Sequence, residues 1–161
     1  MADAVLELHK DNFFPQLFAN DPVEVRRVTS TSSRFAAFLW QGIGGPAAEA
    51  RENWNLEDWQ AHLANPMAEF YAVYCDGEPA GCFEIARARR LMQARGGMAR
   101  VTALGLLPEF SDDELGPGLL TRVVEKVLAT GADSVSIQPG HLNDGRVLNL
   151  FRSQGFVSRV S

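Results

Sequence analysis

The stretch VTALGLLPEFSDDELGPGLL, residues 101–120, decides the fold of this 161-residue chain. It begins as a short apolar strand that closes in Leu106–Phe110, and an acidic turn then leads to Gly116–Gly118 and a helical pattern. A glycine turn between a strand and a helix suits phosphate, because the first helical amides have no intrahelical partners and the helix dipole favours an anion there. The stretch therefore predicts an anion site at the start of a helix.

The residues that follow this stretch predict a long helix, a strand, a short helix and a last strand. Apolar residues recur at helical spacing over 119–128, and Gly131 stands where a left-handed residue ends a helix. Ser134–Gln138 alternates like a strand, Val147–Gln154 is typical of a short helix, and Phe156–Val160 is typical of a strand.

The residues before the stretch begin with a strand and a helix. Val23–Val28 predicts the strand, Ser32 is the expected helix cap, and Gly42, Gly44 and Gly45 are expected to end the helix. The predicted inward face of this helix consists of Phe35, Phe38 and Leu39.

A second helix and a hairpin are predicted next. Asn55, with Asp58 three residues later, predicts a helix start, while Trp59 and Leu63 are expected to face inward and Pro66 to mark the exit.

The hairpin is predicted from two β-rich runs, Phe70–Cys75 and Pro79–Ile85, joined by Asp76-Gly77. This dipeptide tolerates the positive φ angles of a tight turn. A basic connection over 87–97 then leads to a strand predicted over Arg100–Leu107; charge runs of this kind are most often solvated loops.

Composition limits the classes of protein. A 161-residue chain that is 46% apolar suits one core, so we expect residues 1–161 to form a single domain. The formal charge of −5 argues against a nucleic-acid partner, because such proteins concentrate Lys and Arg. The first residues lack a basic start followed by an apolar run, and no window approaches 18 apolar residues. We therefore expect a cytoplasmic protein without a membrane partner.

Cys75 and Cys82 are seven residues apart and flank the predicted turn. This spacing fits neither a disulfide framework nor a zinc site, so we expect buried free thiols and no metal.

Three local motifs carry a resemblance to a known family. They are Glu57-Asp58-Trp59 before the hairpin, Asp76–Gly81 with Phe83-Glu84 through it, and Gly105–Phe110 at the end of the next strand. Together with Gly155-Phe156 and the order of elements, they resemble the GNAT N-acetyltransferases, in particular one bacterial branch. The resemblance extends from about residue 54 to the C-terminus and, more weakly, back to Phe35. The resemblance implies an α/β fold with a mixed central sheet flanked by helices and with splayed fourth and fifth strands.

The resemblance also implies acetyl-CoA as cosubstrate. The thioester arm would lie beside the end of the fourth strand, and the pyrophosphate would take amides from the turn at the next helix. On this chain the implied cofactor-binding residues are Leu106, Leu107, Asp113, Glu114, Leu115, Gly116, Pro117, Gly118, Leu119, Asp144 and Phe151. Asp144 stands near the family's common Asn, and capping the following helix is its alternative role.

Four positions depart from the family pattern. Asp113, between two further acidic residues, stands where the turn usually opens with Gln or Arg, which places negative charge beside the expected pyrophosphate. Phe151 replaces a frequent tyrosine and has no hydroxyl to act as general acid. Arg100 and Ala103 stand where the branch tends to carry a glutamate and an aromatic residue.

The candidate catalytic residues are Glu84 and His141. Glu84 matches a glutamate of the branch and is the candidate base, with a half-exposed strand residue as its alternative. His141 could relay a proton, and its alternative is a surface or loop-capping histidine. Cys82 as an acyl-carrying nucleophile is the least favoured candidate, because a strand cysteine without a nearby base usually packs. The three tryptophans are expected either to line an acceptor pocket or to pack in the core; they are Trp40, Trp54 and Trp59.

Two functions follow from these residues. The first is an acetyl-CoA-dependent N-acetyltransferase that acts by direct transfer on a primary amine of a small molecule or peptide. The second is a catalytically degenerate GNAT-fold module that binds CoA or a protein partner. A homodimer is also compatible with the sequence, and a terminal helix or a dimer surface is expected from Phe13, Phe14, Leu17 and Phe18.

Overall fold

The computed structural model describes residues 5–16, 22–87, 97–110, 116–137 and 145–159. The strands are β1 (Val5–His9), β2 (Val23–Val28), β3 (Ala68–Cys75), β4 (Glu78–Arg87), β5 (Met98–Leu106), β6 (Ser134–Ile137) and β7 (Val157–Arg159). The helices are α1 (Ser33–Ile43), α2 (Gly45–Ala50), α3 (Leu56–Ala64), α4 (Gly116–Ala129) and α5 (Gly145–Ser153).

The seven strands form one mixed sheet, flanked by helices, in the order β2-β3-β4-β5-β6-β1-β7. Strands β5 and β6 are parallel, whereas β1 is antiparallel to both β6 and β7. The predicted α/β class with a mixed sheet is therefore confirmed. The pairing of β5 with β6 ends at Val101↔Ile137, while β5 continues to Leu106. Residues 138–144 after β6 lie outside the described residues.

The chain divides into two compact units, and each is discontinuous in sequence. The hairpin unit comprises residues 22–86 and 102–113, and the terminal unit comprises residues 1–21, 87–101 and 114–161. The expectation of a single domain over 1–161 stays a prediction.

The β3–β4 hairpin organises the hairpin unit. Asp76 (φ 50°) and Gly77 (φ 84°) are both left-handed, which is the backbone that a type I′ turn requires and that the Asp-Gly pair predicts. Strand β2 extends the hairpin, with its register running from Val23↔Cys75 to Val28↔Phe70. One buried hydrophobic cluster of this unit contains Val28, Ala36, Leu39, Trp40, Ala48, Trp59, Leu63, Phe70, Ala72, Cys82 and Leu107.

Three helices, not the two expected, lie between β2 and β3. Gly44 (φ 68°) ends α1, and α2 begins at the next residue with Pro46 in its first turn, where the missing N–H of proline leaves no helical bond unmade. The predicted inward face of α1 is also wrong at Phe38, which is 61% exposed, because Leu39 and Trp40 take the buried positions.

Strand β1 of the terminal unit was not predicted. It pairs with β6 from Leu6↔Ile137 to His9↔Ser134 and with β7 from Val5↔Arg159. The pattern Val-Leu-Glu-Leu-His does alternate, and Leu6 and Leu8 are buried. The terminal helix expected around Phe13 and Phe14 is absent from residues 13–16, and its other half lies outside the described residues.

The other predicted elements are confirmed within three residues of their predicted bounds. Two details of α1 differ: the Ser32 side chain makes no cap hydrogen bond, and Gly42 lies inside the helix. The basic connection is outside the described residues over 88–96. Among the helices of the described part of the chain, none is both long and apolar enough to cross a membrane.

Candidate functional site

Glu84, the candidate base, lies in β4 with its carboxylate saturated by hydrogen bonds. Arg51 donates from Nη2 to Oε1 at 2.7 Å and from Nη1 to Oε2 at 3.0 Å. His62 Nε2 lies 2.7 Å from Oε2, and the Thr102 hydroxyl donates to Oε1 at 2.9 Å. A carboxylate has about four lone-pair positions, so these four contacts fill its capacity. Glu84 is only 1% exposed, whereas the alternative drawn from the sequence was a half-exposed residue.

The surroundings of Glu84 favour its ionised form. Burial alone raises the pKa of the carboxyl, but hydrogen bonds from His62 and Arg51, together with their charges, lower that pKa to about 2. At neutral pH the group is therefore a fixed anion. Because Glu84 only accepts when ionised, the His62 Nε2–H is the donor in their contact.

Three tryptophans enclose the guanidinium of Arg51. The guanidinium carbon lies 3.8 Å from the ring centroid of Trp40, 4.5 Å from that of Trp54 and 5.3 Å from that of Trp59. A cation over tryptophan faces is stabilised by the ring quadrupole, by roughly 2 kcal/mol when water is excluded. These rings therefore hold Arg51 against Glu84. Trp40 and Trp59 are buried in the core, as one of the two sequence interpretations expected.

His62 is held by a well-defined helix. In α3, the Asn55 side chain accepts from the Asp58 N–H at 2.8 Å, and the Asp58 carboxylate accepts from the Asn55 N–H at 2.9 Å. This capping box fixes the start of α3. The His62 side chain, 18% exposed, lies in the last turn, and its ring makes a T-shaped pair with the Trp54 ring at a centroid distance of 5.1 Å.

Sequence reasoning did not identify Arg51 or His62 as site residues. Arg51 is 33 residues from Glu84 and His62 is 22 residues away, so no local spacing joins them. The available signal was that His62 follows Trp59 by three residues and therefore shares its helix face. We name these four residues, Arg51, His62, Glu84 and Thr102, the Glu84 cluster.

The two leucines expected beside the thioester are Leu106, the last residue of β5, and Leu107, which follows it. Residues 102–106 are all half-buried, whereas Leu107 is buried. The Leu107 N–H donates to the Ala80 carbonyl at 2.7 Å, so this amide is engaged by protein. Of the two, Leu106 is left as the better candidate for contacting a ligand.

The predicted phosphate turn lies partly outside the described residues, which exclude Asp113, Glu114 and Leu115. Helix α4 begins at Gly116, so the two glycines belong to its first turn and not to a loop before it. The N–H groups of this turn have no intrahelical acceptor, and Pro117 has no N–H. Gly116 and Gly118 are thus the donors that the described residues offer there, while Leu119 is buried at its side chain.

Phe151, on α5, is 2% exposed and packs edge-on against Phe156, with ring centroids 5.2 Å apart. It supplies hydrocarbon and no proton donor. His141 and Asp144 lie outside the described residues. Leu106, Leu107 and Glu84 belong to the hairpin unit, whereas residues 116–119 and Phe151 belong to the terminal unit.

Both cysteines are buried free thiols, as expected. Burial, followed by the charge of Glu84, raises the pKa of the Cys82 thiol, so it stays protonated. This is the opposite of what a nucleophilic thiol requires. Within the described ranges, no group of three or more His, Cys, Asp or Glu side chains is arranged to hold a metal ion.

No protein-family model matches the chain, and no curated protein matches it. The chain is similar to a GCN5-related N-acetyltransferase from Kribbella flavida, with a TM-score of 0.62, 16% identity, and coverage of 96% of this chain and 53% of that one. The chain thus spans about half the length of that protein.

Two aminoglycoside acetyltransferases from an uncultured soil metagenomic sample are also similar. One, meta-AAC0020 in complex with sisomicin, has a TM-score of 0.62 and 15% identity over 83% of this chain and 87% of its own. The other, HMB0005, has a TM-score of 0.69 and 13% identity over 86% of this chain and 94% of its own. The fold is therefore that of an α/β acyltransferase. More particularly, it is the GNAT fold, which confirms the fold implied by the sequence motifs.

Proposed function

We propose that this protein is an acetyl-CoA-dependent N-acetyltransferase that transfers the acetyl group directly to a primary amine of a small molecule or peptide. The observation that carries the proposal is the GNAT fold, shared with an aminoglycoside acetyltransferase over 86% of this chain. A similar structure, an aminoglycoside acetyltransferase in complex with sisomicin, supports a small molecule as the acceptor.

The start of α4 supports the cosubstrate. Its first turn offers the Gly116 and Gly118 amides and the positive end of the helix dipole to an anion, and glycine lets phosphate approach without obstruction by a Cβ. The half-buried end of β5, with Leu106, supports placement of the thioester arm. Acetyl-CoA would supply the activated acyl group.

Positioning can account for much of such a reaction. Holding an amine beside a thioester replaces a bimolecular encounter, and well-oriented groups can lower the barrier by roughly 7–11 kcal/mol. Because Phe151 has no hydroxyl, we propose that the departing thiolate takes its proton from solvent.

A second candidate function is a GNAT-fold module that binds CoA or a partner without turnover. Two observations favour it: Phe151 is a buried hydrocarbon, and the carboxylate of Glu84 has no free lone-pair position.

Thermal unfolding with increasing acetyl-CoA distinguishes the candidates, when coupled to thiol release with a panel of primary amines. Ligand at 100 times its dissociation constant stabilises the folded state by about 2.7 kcal/mol, which is roughly 5–10 °C for a chain of this size. S-acetylpantetheine is the matched ligand control. It lacks the pyrophosphate, so we expect a much smaller shift at equal concentration.

Binding with turnover supports the acetyltransferase, and binding without turnover on any amine supports the second candidate. An unchanged melting temperature at millimolar acetyl-CoA would overturn the cosubstrate assignment. Equal shifts from acetyl-CoA and S-acetylpantetheine would overturn the assignment of the pyrophosphate to α4.

A further inference from the structure

A primary amine is protonated at neutral pH and must lose a proton before it attacks a thioester. The Glu84 carboxylate cannot accept that proton easily, because its four lone-pair positions are occupied by Arg51, His62 and Thr102. The Glu84 cluster nevertheless contains a second proton acceptor. It is the imidazole of His62.

We propose that His62 is the catalytic base of the acetyl transfer, with Nδ1 as the accepting atom and Glu84 as the positioning residue. The proposal rests on the proposed function. It replaces Glu84, the base candidate drawn from the sequence, by a neighbour that Glu84 orients.

The contacts of the His62 ring determine which of its nitrogens can accept the proton. Nε2 lies 2.7 Å from the Glu84 carboxylate and carries the hydrogen, which leaves the lone pair of the neutral imidazole on Nδ1. Among the contacts between described residues, none involves Nδ1. The side chain is 18% exposed, whereas that of Glu84 is 2% exposed, so His62 is the member of the pair that solvent can reach.

The surroundings also restrain the ring. The Trp54 and Trp59 rings lie at centroid distances of 5.1 and 6.1 Å from His62, in edge-to-face geometry. With Nε2 bonded to Glu84 and two aromatic rings beside it, the imidazole is restrained against a flip that would exchange its nitrogens. A base held in one tautomer and one orientation is suited to general base catalysis.

The charged and titratable groups around the Glu84 cluster come from β4 and from the α2–α3 connection. Glu84 on β4 is an anion, Arg51 on the α2–α3 connection is a cation, and Cys82 on β4 is a protonated thiol beside both. When Nδ1 gains a proton, the imidazolium lies against the Glu84 anion.

The transfer removes two protons from the acceptor nitrogen, one to His62 and one to solvent. The acceptor ammonium gives one proton to His62 Nδ1, and the freed nitrogen lone pair forms the C–N bond at the thioester carbonyl carbon. The C–S bond breaks and the sulfur leaves with its electron pair. The second nitrogen proton balances the departing thiolate through solvent, and His62 returns its proton to solvent.

The test measures kcat and KM between pH 5 and 9 for the wild type, His62→Gln and Glu84→Gln, with acetyl-CoA and the best amine of the panel. Glutamine at position 62 can still donate to Glu84 but cannot take a proton. We expect a loss in kcat of roughly 10²-fold or more, an unchanged KM for acetyl-CoA and loss of the acidic limb of the profile. Glu84→Gln should lower kcat and shift that limb without abolishing it.

His9→Gln is the matched control, because His9 is an exposed histidine of β1 outside the cluster, and it should retain wild-type activity. His62→Ala, checked for wild-type acetyl-CoA binding, should regain activity when imidazole is added. If that variant fails to fold, ring nitrogen NMR of the wild type decides: Nε2 must carry the hydrogen and Nδ1 the lone pair.

The outcomes distinguish a failure of the His62 assignment from a failure of the proposed acetyltransferase function. A wild type that binds acetyl-CoA but acetylates no amine overturns the function and the base together. A wild type that turns over while His62→Gln keeps its kcat and its acidic limb overturns the base alone. An NMR spectrum with the hydrogen on Nδ1 also overturns the base.

Discussion

Arg51 is the residue on which the Glu84 cluster depends most, because it supplies two of the four donors to a carboxylate that is 1% exposed. Its own side chain is only 14% exposed. Replacing it by Met keeps much of the volume between the tryptophans and removes the charge. We expect Arg51→Met to lower the free energy of unfolding by about 3–5 kcal/mol, since it leaves a buried anion short of partners. Urea denaturation at pH 7 measures the change.

Arg26→Met is the matched control for that prediction. Arg26 also pairs with a carboxylate, Glu24 at 3.2 Å, and also lies over an aromatic ring, Tyr74 at 5.2 Å, but its side chain is 68% exposed. Exposed pairs contribute roughly 0–1 kcal/mol. Equal losses for the two variants would contradict the role given to burial.

At the scale of single elements, the capping box is the feature that connects sequence, stability and site. Asn55 fixes the start of α3, and α3 carries His62 in its last turn. We expect Asn55→Ala to cost about 1 kcal/mol of stability, because one helix-start amide loses its acceptor. Asn55→Ser retains an acceptor oxygen and should cost only a few tenths. Urea denaturation of both variants tests this, and a serine variant as unstable as the alanine variant would contradict the cap assignment.

Elements that depend on local signals were predictable. Asp76-Gly77 specifies its turn, Asn55 and Asp58 specify a helix start, and the apolar spacing of α4 specifies a helix. The two elements that were not predicted, α2 and β1, were missed for equally local reasons. A glycine-proline segment indicates a helix end, but it also starts a helix at Gly45. The alternating pattern of β1 covers only five residues. It is a weaker sequence signal than the aromatic cluster that follows it, so the strand was not predicted.

The site was predictable only in part, since its partners are distant in sequence. The sequence identified Glu84 through a family motif, but its three donors come from the α2–α3 connection, from α3 and from β5. No periodicity joins such positions. The chemical consequence, a saturated carboxylate beside a half-buried histidine, becomes visible only when the three-dimensional contacts are known.

At the scale of the whole molecule, the Glu84 cluster makes stability depend on pH. The pKa of Glu84 is about 2 in the folded protein and about 4.5 in the unfolded chain, so the unfolded state binds the proton more readily. The stabilisation is therefore complete above pH 4.5 and is lost as the pH falls towards 2. The difference corresponds to about 3 kcal/mol.

Denaturation of the wild type and of Glu84→Gln as a function of pH tests this assignment. The wild type should lose about 3 kcal/mol more than Glu84→Gln between pH 4.5 and 2, because glutamine has no proton to gain. Glu24→Gln changes an exposed carboxylate and should follow the wild-type curve closely. Parallel curves for the wild type and Glu84→Gln would mean that the buried carboxylate is not the anion that the four donors require. The orienting role of Glu84 for His62 would then fail at its first step.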